Sequence, residues 1–114
     1  MLRSKLELGS RVFVTGTGVV SPLGLDLDTT WAALIAGTSG VSGITSFDPT
    51  EFDTKIAGEV KEFDPSLSLD LKDSRRMDRF AQFAAVATKQ AVQQANLQVQ
   101  SIDPYKVSVI IGSG

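Results

Sequence analysis

The chain is 114 residues long, 42% hydrophobic and 21% charged, with a formal net charge of −2 and neither cysteine nor histidine. A disulfide, a Cys or His metal ligand, a thiolate nucleophile and an imidazole base are therefore excluded within it, so any proton transfer would fall to Asp, Glu, Lys or Tyr. The mild acidity argues against a general nucleic-acid surface, and no apolar run approaches the roughly 20 residues that span a bilayer.

MLRSKLELGS at 1–10 is polar, lacks the apolar stretch of a secretory signal and reads as an N-terminal extension of a cytoplasmic protein. RVFVTGTGVV at 11–20 is rich in β-branched residues without alternation, the pattern of a strand buried on both faces as in a parallel sheet. Gly16 and Gly18 after it invite a dinucleotide-binding reading. The third glycine of that fingerprint is replaced by Ser21, however, and the next helix starts several residues late. The simpler reading is a tight turn that needs positive φ.

A short helix is expected from a cap at Asp28 or Thr29 through Ala36, with Trp31, Leu34 and Ile35 on one face and Gly37 closing it. Trp31 and the phenylalanines read as core. Residues 37–54, rich in Gly, Ser, Thr and Asp, read as a long surface loop, followed by a strand in KIAGEV at 55–60 and an irregular connection through Pro65. The carboxylates Asp48, Glu51, Asp53, Glu59, Glu62 and Asp64 show no pairing that predicts acid–base work and read mostly as solvated loop charges.

A long helix is expected from about Ser74 to Gln94, with Met77, Phe80, Ala84, Ala87, Ala91 and Ala95 at helical spacing, so broadly apolar that it must be buried. Asn96 can end it in the left-handed conformation. Asp103–Pro104 marks a turn, and VSVII at 107–111 is a second two-sided strand running into Gly112, Ser113 and Gly114. The order strand, helix, strand, helix, strand implies an α/β layer with a largely parallel sheet. The breadth of the helix and a strand that stops at a glycine-rich edge read as the first part of a larger domain, the alternative being a homo-oligomer interface.

Lys72, Arg75, Arg76 and Arg79 form the densest basic group. As one helix start, it would place Arg75 and Arg79 on one face and Lys72 and Arg76 on the next. Four cations there would oppose the helix dipole at a cost of about 0.3–1 kcal/mol each, which suggests an acidic partner or a phosphate. The bland alternative is a solvated helix start with internal ion pairs to Asp73 and Asp78.

VFVTGTGVVSPLG, TWAALIAGTSGVSGITSFD, KIAGEV, RRMDRFAQFA and VIIGSG, in this order, resemble the amino-terminal part of the β-ketoacyl-[acyl-carrier-protein] synthase II family, over about residues 11–114. The resemblance implies a thiolase-like (αβαβα layered) fold, of which 11–114 would be an incomplete amino-terminal portion. It also implies fatty-acid chain elongation by decarboxylative Claisen condensation of an enzyme-bound acyl group with malonyl-carrier protein, in a homodimer without metal or organic cofactor. The family's catalytic Cys, two His and Lys would lie beyond Gly114, leaving no catalytic residue here and an inactive isolated chain. Lys72, Arg75 and Arg76 align with the family's docking patch for acyl carrier protein, with Asp73 and Ser74 between them. Two other functions stay open: a non-catalytic carrier-binding or assembly module, such as a truncated relative or a polyketide chain-length partner, and a small nucleotide binder.

Overall fold

Asp26, in extended backbone at φ −146°, receives the Thr29 amide on its side chain at 2.8 Å and so caps helix α1, Leu27–Ile35. The cap is thus two residues earlier than Asp28, the nearer of the two expected positions. Gly37 closes α1 at φ 68°, its amide bonding to Leu34 O and that of Thr38 to Ala33 O, the paired arrangement that satisfies the last carbonyls of a helix. The computed structural model describes residues 11–112; the extension expected at 1–10, and Ser113 and Gly114, lie outside the described residues.

The expected loop at 37–54 contains a strand, β1 (Ser42–Gly43), which pairs antiparallel with β2 (Ile56–Ala57), Ser42 opposite Ala57 and Gly43 opposite Ile56. β2 falls inside the predicted KIAGEV strand but is only two residues long. Lys55 holds the intervening loop shut by donating Nζ hydrogen bonds to the carbonyls of Thr50 (2.9 Å), Phe52 (3.0 Å) and Pro49 (3.3 Å).

The expected long helix is broken in two. A four-residue helix α2, Leu71–Ser74, is separated by Arg75–Asp78 from α3, Arg79–Gln94. Asp78, at ψ 157°, turns the chain out of helical geometry, which excludes Met77 from the stripe assigned to it. Asn96 at φ 49° ends α3 as expected, with its amide on Gln93 O and that of Leu97 on Val92 O.

Residues 11–20 and 107–112 are without strand pairing, and the one sheet among the described residues is the antiparallel β1–β2 pair rather than a largely parallel one. Both segments are apolar on each face and need neighbours that the described residues do not supply: Val12 is 95% and Ile110 94% exposed. Trp31, expected in a core, is 60% exposed, and Val86 is the one buried apolar side chain among the described residues. The Cα radius of gyration is 18.8 Å, against about 13 Å for a compact domain of this length.

What order there is centres on α3. Gln94 Oε1 accepts from the Thr17 amide (2.6 Å) and hydroxyl (3.0 Å), and Gln90 Oε1 from the Val19 amide (3.0 Å), while Gln90 Nε2 donates to Leu25 O (2.7 Å). The glycines of this segment are not in a positive-φ turn, as the sequence suggested; that conformation occurs at Gly37. Instead Gly16 and Gly18 let the backbone lie against α3, where a Cβ would strike the carbonyl oxygens of Ala91 and Ala87.

Candidate functional site

The basic cluster is built on the break between α2 and α3. Asp70 starts α2 by accepting the Lys72 amide at 2.8 Å. Arg75 is its C-terminal cap, and the chain then tightens, with the Arg76 amide on Asp73 O (3.0 Å) and the Met77 amide on Ser74 O (3.2 Å). Ser74 is 3% exposed and anchors this turn from beneath, its hydroxyl donating to Leu71 O at 3.2 Å. Lys72, Arg75 and Arg76 are all exposed, carried within five residues on α2 and the turn behind it.

Two sequence expectations change here. Arg75 is the C-terminal cap of α2, the end that favours cations, and of the four only Arg79 stands at the start of α3, so the expected dipole penalty of four cations at one helix start is reduced to that residue. Arg75 and Arg79 do not share a helix face, because the break separates them.

Arg79 is committed elsewhere. Its guanidinium carbon lies 5.5 Å from the Phe63 ring centre and 5.1 Å from that of Phe83, and Nη2 donates to Val60 O at 2.8 Å. The two rings meet edge to face at 4.8 Å. The charge is thereby spent tying α3 to the chain after β2.

Beside it opens a cleft of about 650 Å³, lined by Thr45, Ser46, Glu59, Lys61, Arg79 and Phe83 among others. Glu59 is not the loosely solvated charge that the sequence suggested. Its carboxylate faces the Ser46 hydroxyl and amide and the Thr45 hydroxyl and amide, which hold its pKa down to about 2. The Thr45 hydroxyl donates at 2.8 Å and the Ser46 amide at 2.9 Å. A carboxylate with its lone pairs so occupied stays ionised and is unsuited to proton transfer near neutrality.

On the other side of α3, Phe80, Ala84, Thr88 and Val92 face Val109 and Ile111 across an apolar groove of about 940 Å³. Gly112 lines its end; the rest of the glycine-rich terminus lies outside the described residues. Among the described residues no group of three or more His, Cys, Asp or Glu is placed to hold a metal. No helix among them is long and apolar enough to cross a membrane.

Sequence reasoning missed one contributor to the basic turn. Gln82, one turn into α3, directs Nε2 to Ser74 O (2.8 Å) and Met77 O (3.3 Å). The available signal was a set of glutamines, Gln82, Gln90, Gln93 and Gln94, interrupting an alanine-rich helix; Gln82, Gln90 and Gln94 bond to backbone outside it.

The profile of the family described as "Beta-ketoacyl synthase, N-terminal domain" matches residues 9–114. The "3-oxoacyl-[acyl-carrier-protein] synthase 2" of Coxiella burnetii (strain RSA 493 / Nine Mile phase I) is 50% identical over 104 residues, which are 91% of this chain and 25% of that protein. The protein of the same name from Staphylococcus aureus (strain COL) is 41% identical over 109 residues, 96% of this chain and 26% of that one. Among solved structures, "The ishigamide ketosynthase/chain length factor" superposes with a TM-score of 0.66 at 36% identity, covering 78% of this chain and 22% of that one. The chain thus spans about a quarter of the length of the curated relatives it matches.

Proposed function

The chain belongs to the β-ketoacyl synthase family, with the thiolase-like fold of ketosynthases, and from that premise we propose that it is the amino-terminal part of a 3-oxoacyl-[acyl-carrier-protein] synthase 2 that elongates fatty acids. The observation that carries this reading is 50% identity across 91% of the chain to one such synthase. In the full-length enzyme, a cysteine thiolate holds the growing acyl group as a thioester. Loss of CO₂ from malonyl-carrier protein leaves a carbanion at its α-carbon, which attacks that thioester carbonyl. A C–C bond forms, the C–S bond to the enzyme breaks, and the thiolate is restored while the carrier keeps a chain two carbons longer.

This segment has no Cys or His to perform those steps. Its part is scaffold and docking: Lys72, Arg75 and Arg76 present positive charge to an acidic acyl carrier protein, steering and orienting its approach. Residues 11–114 form part of the ketosynthase domain, with 1–10 as an extension, in a cytoplasmic homodimer that needs no metal or organic cofactor. The 114-residue chain alone has no condensing activity.

The test is to read the reading frame beyond codon 114 and assay the encoded enzyme with Lys72→Glu, Arg75→Glu and Arg76→Glu. A cysteine ahead of a helix is expected downstream. The triple reversal should raise KM for carrier-borne substrate by about tenfold or more at low salt, with the effect shrinking at high salt. An unchanged KM overturns the docking assignment, and a frame without the cysteine overturns the enzyme reading. The latter result would favour a non-catalytic partner subunit, an alternative kept in view by the solved ketosynthase/chain length factor.

A further inference from the structure

We propose that Gln82 is a positioning residue for carrier-protein docking: its side-chain amide fixes the turn that presents Arg75 and Arg76. This rests on the docking reading above and extends it to a residue outside the charged patch. Gln82 Nε2 carries two hydrogens and reaches two backbone carbonyls, Ser74 O at 2.8 Å and Met77 O at 3.3 Å. Those carbonyls bracket Arg75 and Arg76, one on each side. A single planar group on the first turns of α3 therefore spans the segment that carries both guanidinium groups.

Gln82 ties the turn to α3. The turn's other bonds are local, with the Ser74 hydroxyl and the Arg75 amide on Leu71 O (3.2 and 3.3 Å), the Arg76 amide on Asp73 O (3.0 Å) and the Met77 amide on Ser74 O (3.2 Å), and α2 is too short to be stable by itself. Asp78, which could have anchored the entry to α3, makes no side-chain capping bond. Ser74 O is buried with its residue, so removal of Gln82 leaves it with the Met77 amide alone. Two long cationic side chains on a loosened turn sample more directions, and ordering them on the partner costs affinity. Gln82 thus acts on the carrier protein without touching it.

The full-length enzyme is assayed as Gln82→Met, which keeps length and loses the donors, and as Gln82→Asn, which keeps the amide one methylene short. Both should raise KM for carrier-borne substrate by about threefold to tenfold, the worth of a hydrogen bond or two. Both should leave turnover of an N-acetylcysteamine thioester, which has the reacting group without the carrier, unchanged. In an Arg75→Ala, Arg76→Ala background the same substitutions should have no further effect, because the groups they aim are gone. A merely structural role would lower turnover of the small thioester and act equally in both backgrounds; either result overturns the proposal. If the arginine pair alone leaves KM unchanged, the docking reading itself has failed. If the pair raises KM and neither Gln82 variant does, docking stands and the positioning role is wrong.

Discussion

Gly18 lies against the carbonyl of Ala87 so closely that a Cβ on it would overlap the Ala87 oxygen and come within 3.0 Å of Gln90 Cβ. The obstacle is helix backbone, which no rotamer change can move. Gly18→Ala should therefore destabilise the full-length protein by at least about 1–3 kcal/mol, the usual range for overpacking. Gly43→Ala is the control, because its Cβ would meet nothing within 4 Å and its φ is negative. Equal melting temperatures for the two variants would refute the close approach.

Asp26, not Asp28, caps α1. The Thr29 amide and then the Thr29 hydroxyl hold the Asp26 carboxyl below its ordinary pKa. Asp26→Ala should cost about 1 kcal/mol of stability, as loss of an N-cap does, and Asp28→Ala no more than a few tenths. Reversed magnitudes in a urea titration would move the cap to where the sequence first suggested.

Glu59 makes stability depend on acid. Its folded pKa of about 2 lies below the ordinary 4.5, so its contribution is complete above pH 4.5 and is lost as the pH falls from there through 2. Glu59→Gln should lower the melting temperature at neutral pH. The gap from the parent protein should narrow as both are titrated downward from pH 6. A gap that stays constant to about pH 3.5 would mean that the carboxylate's charge is irrelevant to the knot with Thr45 and Ser46.

Arg79 is structural despite its company. Arg79→Lys keeps the charge but loses the guanidinium held against the Phe63 and Phe83 rings, and should cost on the order of 1 kcal/mol. With the charge removed in Arg79→Gln, the salt dependence of carrier-protein KM should still be that of the parent enzyme. A flattened salt dependence would return Arg79 to the docking patch.

Much of this was written locally in the sequence, because local chemistry decides it. Gly37 and Asn96 stop their helices through backbone conformations those residue types tolerate. The body of α3 follows from its apolar spacing, and the cluster of Lys72, Arg75 and Arg76 is visible as three cations in five residues. The break at Arg75–Asp78 was hidden because Ser-Arg-Arg-Met-Asp contains neither Gly nor Pro; Asp78 resets the chain by its dihedral angles alone. β1 was hidden in a Gly/Ser loop, since two residues cannot show a period. The purpose of Gly16 and Gly18, the stacking of Arg79 and the reach of Gln82 depend on which groups meet in space, and spacing along the chain carries no such information.

The clamp of Gln94 on Thr17 joins positions 77 apart in the chain, and that separation is also an interval of time. At a synthesis rate of about 5–20 residues per second, the apolar segment at 11–20 precedes the helix that clamps its Thr17 by roughly 4 to 15 seconds. Nascent chains collapse in a small fraction of that interval. Throughout it, the β-prone stretch that includes Val12, Phe13 and Val14 has no α3 to hold its register and is free to pair with the wrong neighbour. The same glycines that admit α3 late thus leave the ribosome with a segment to keep apart from its fellows, and translation pauses or chaperone capacity early in this reading frame should govern its yield.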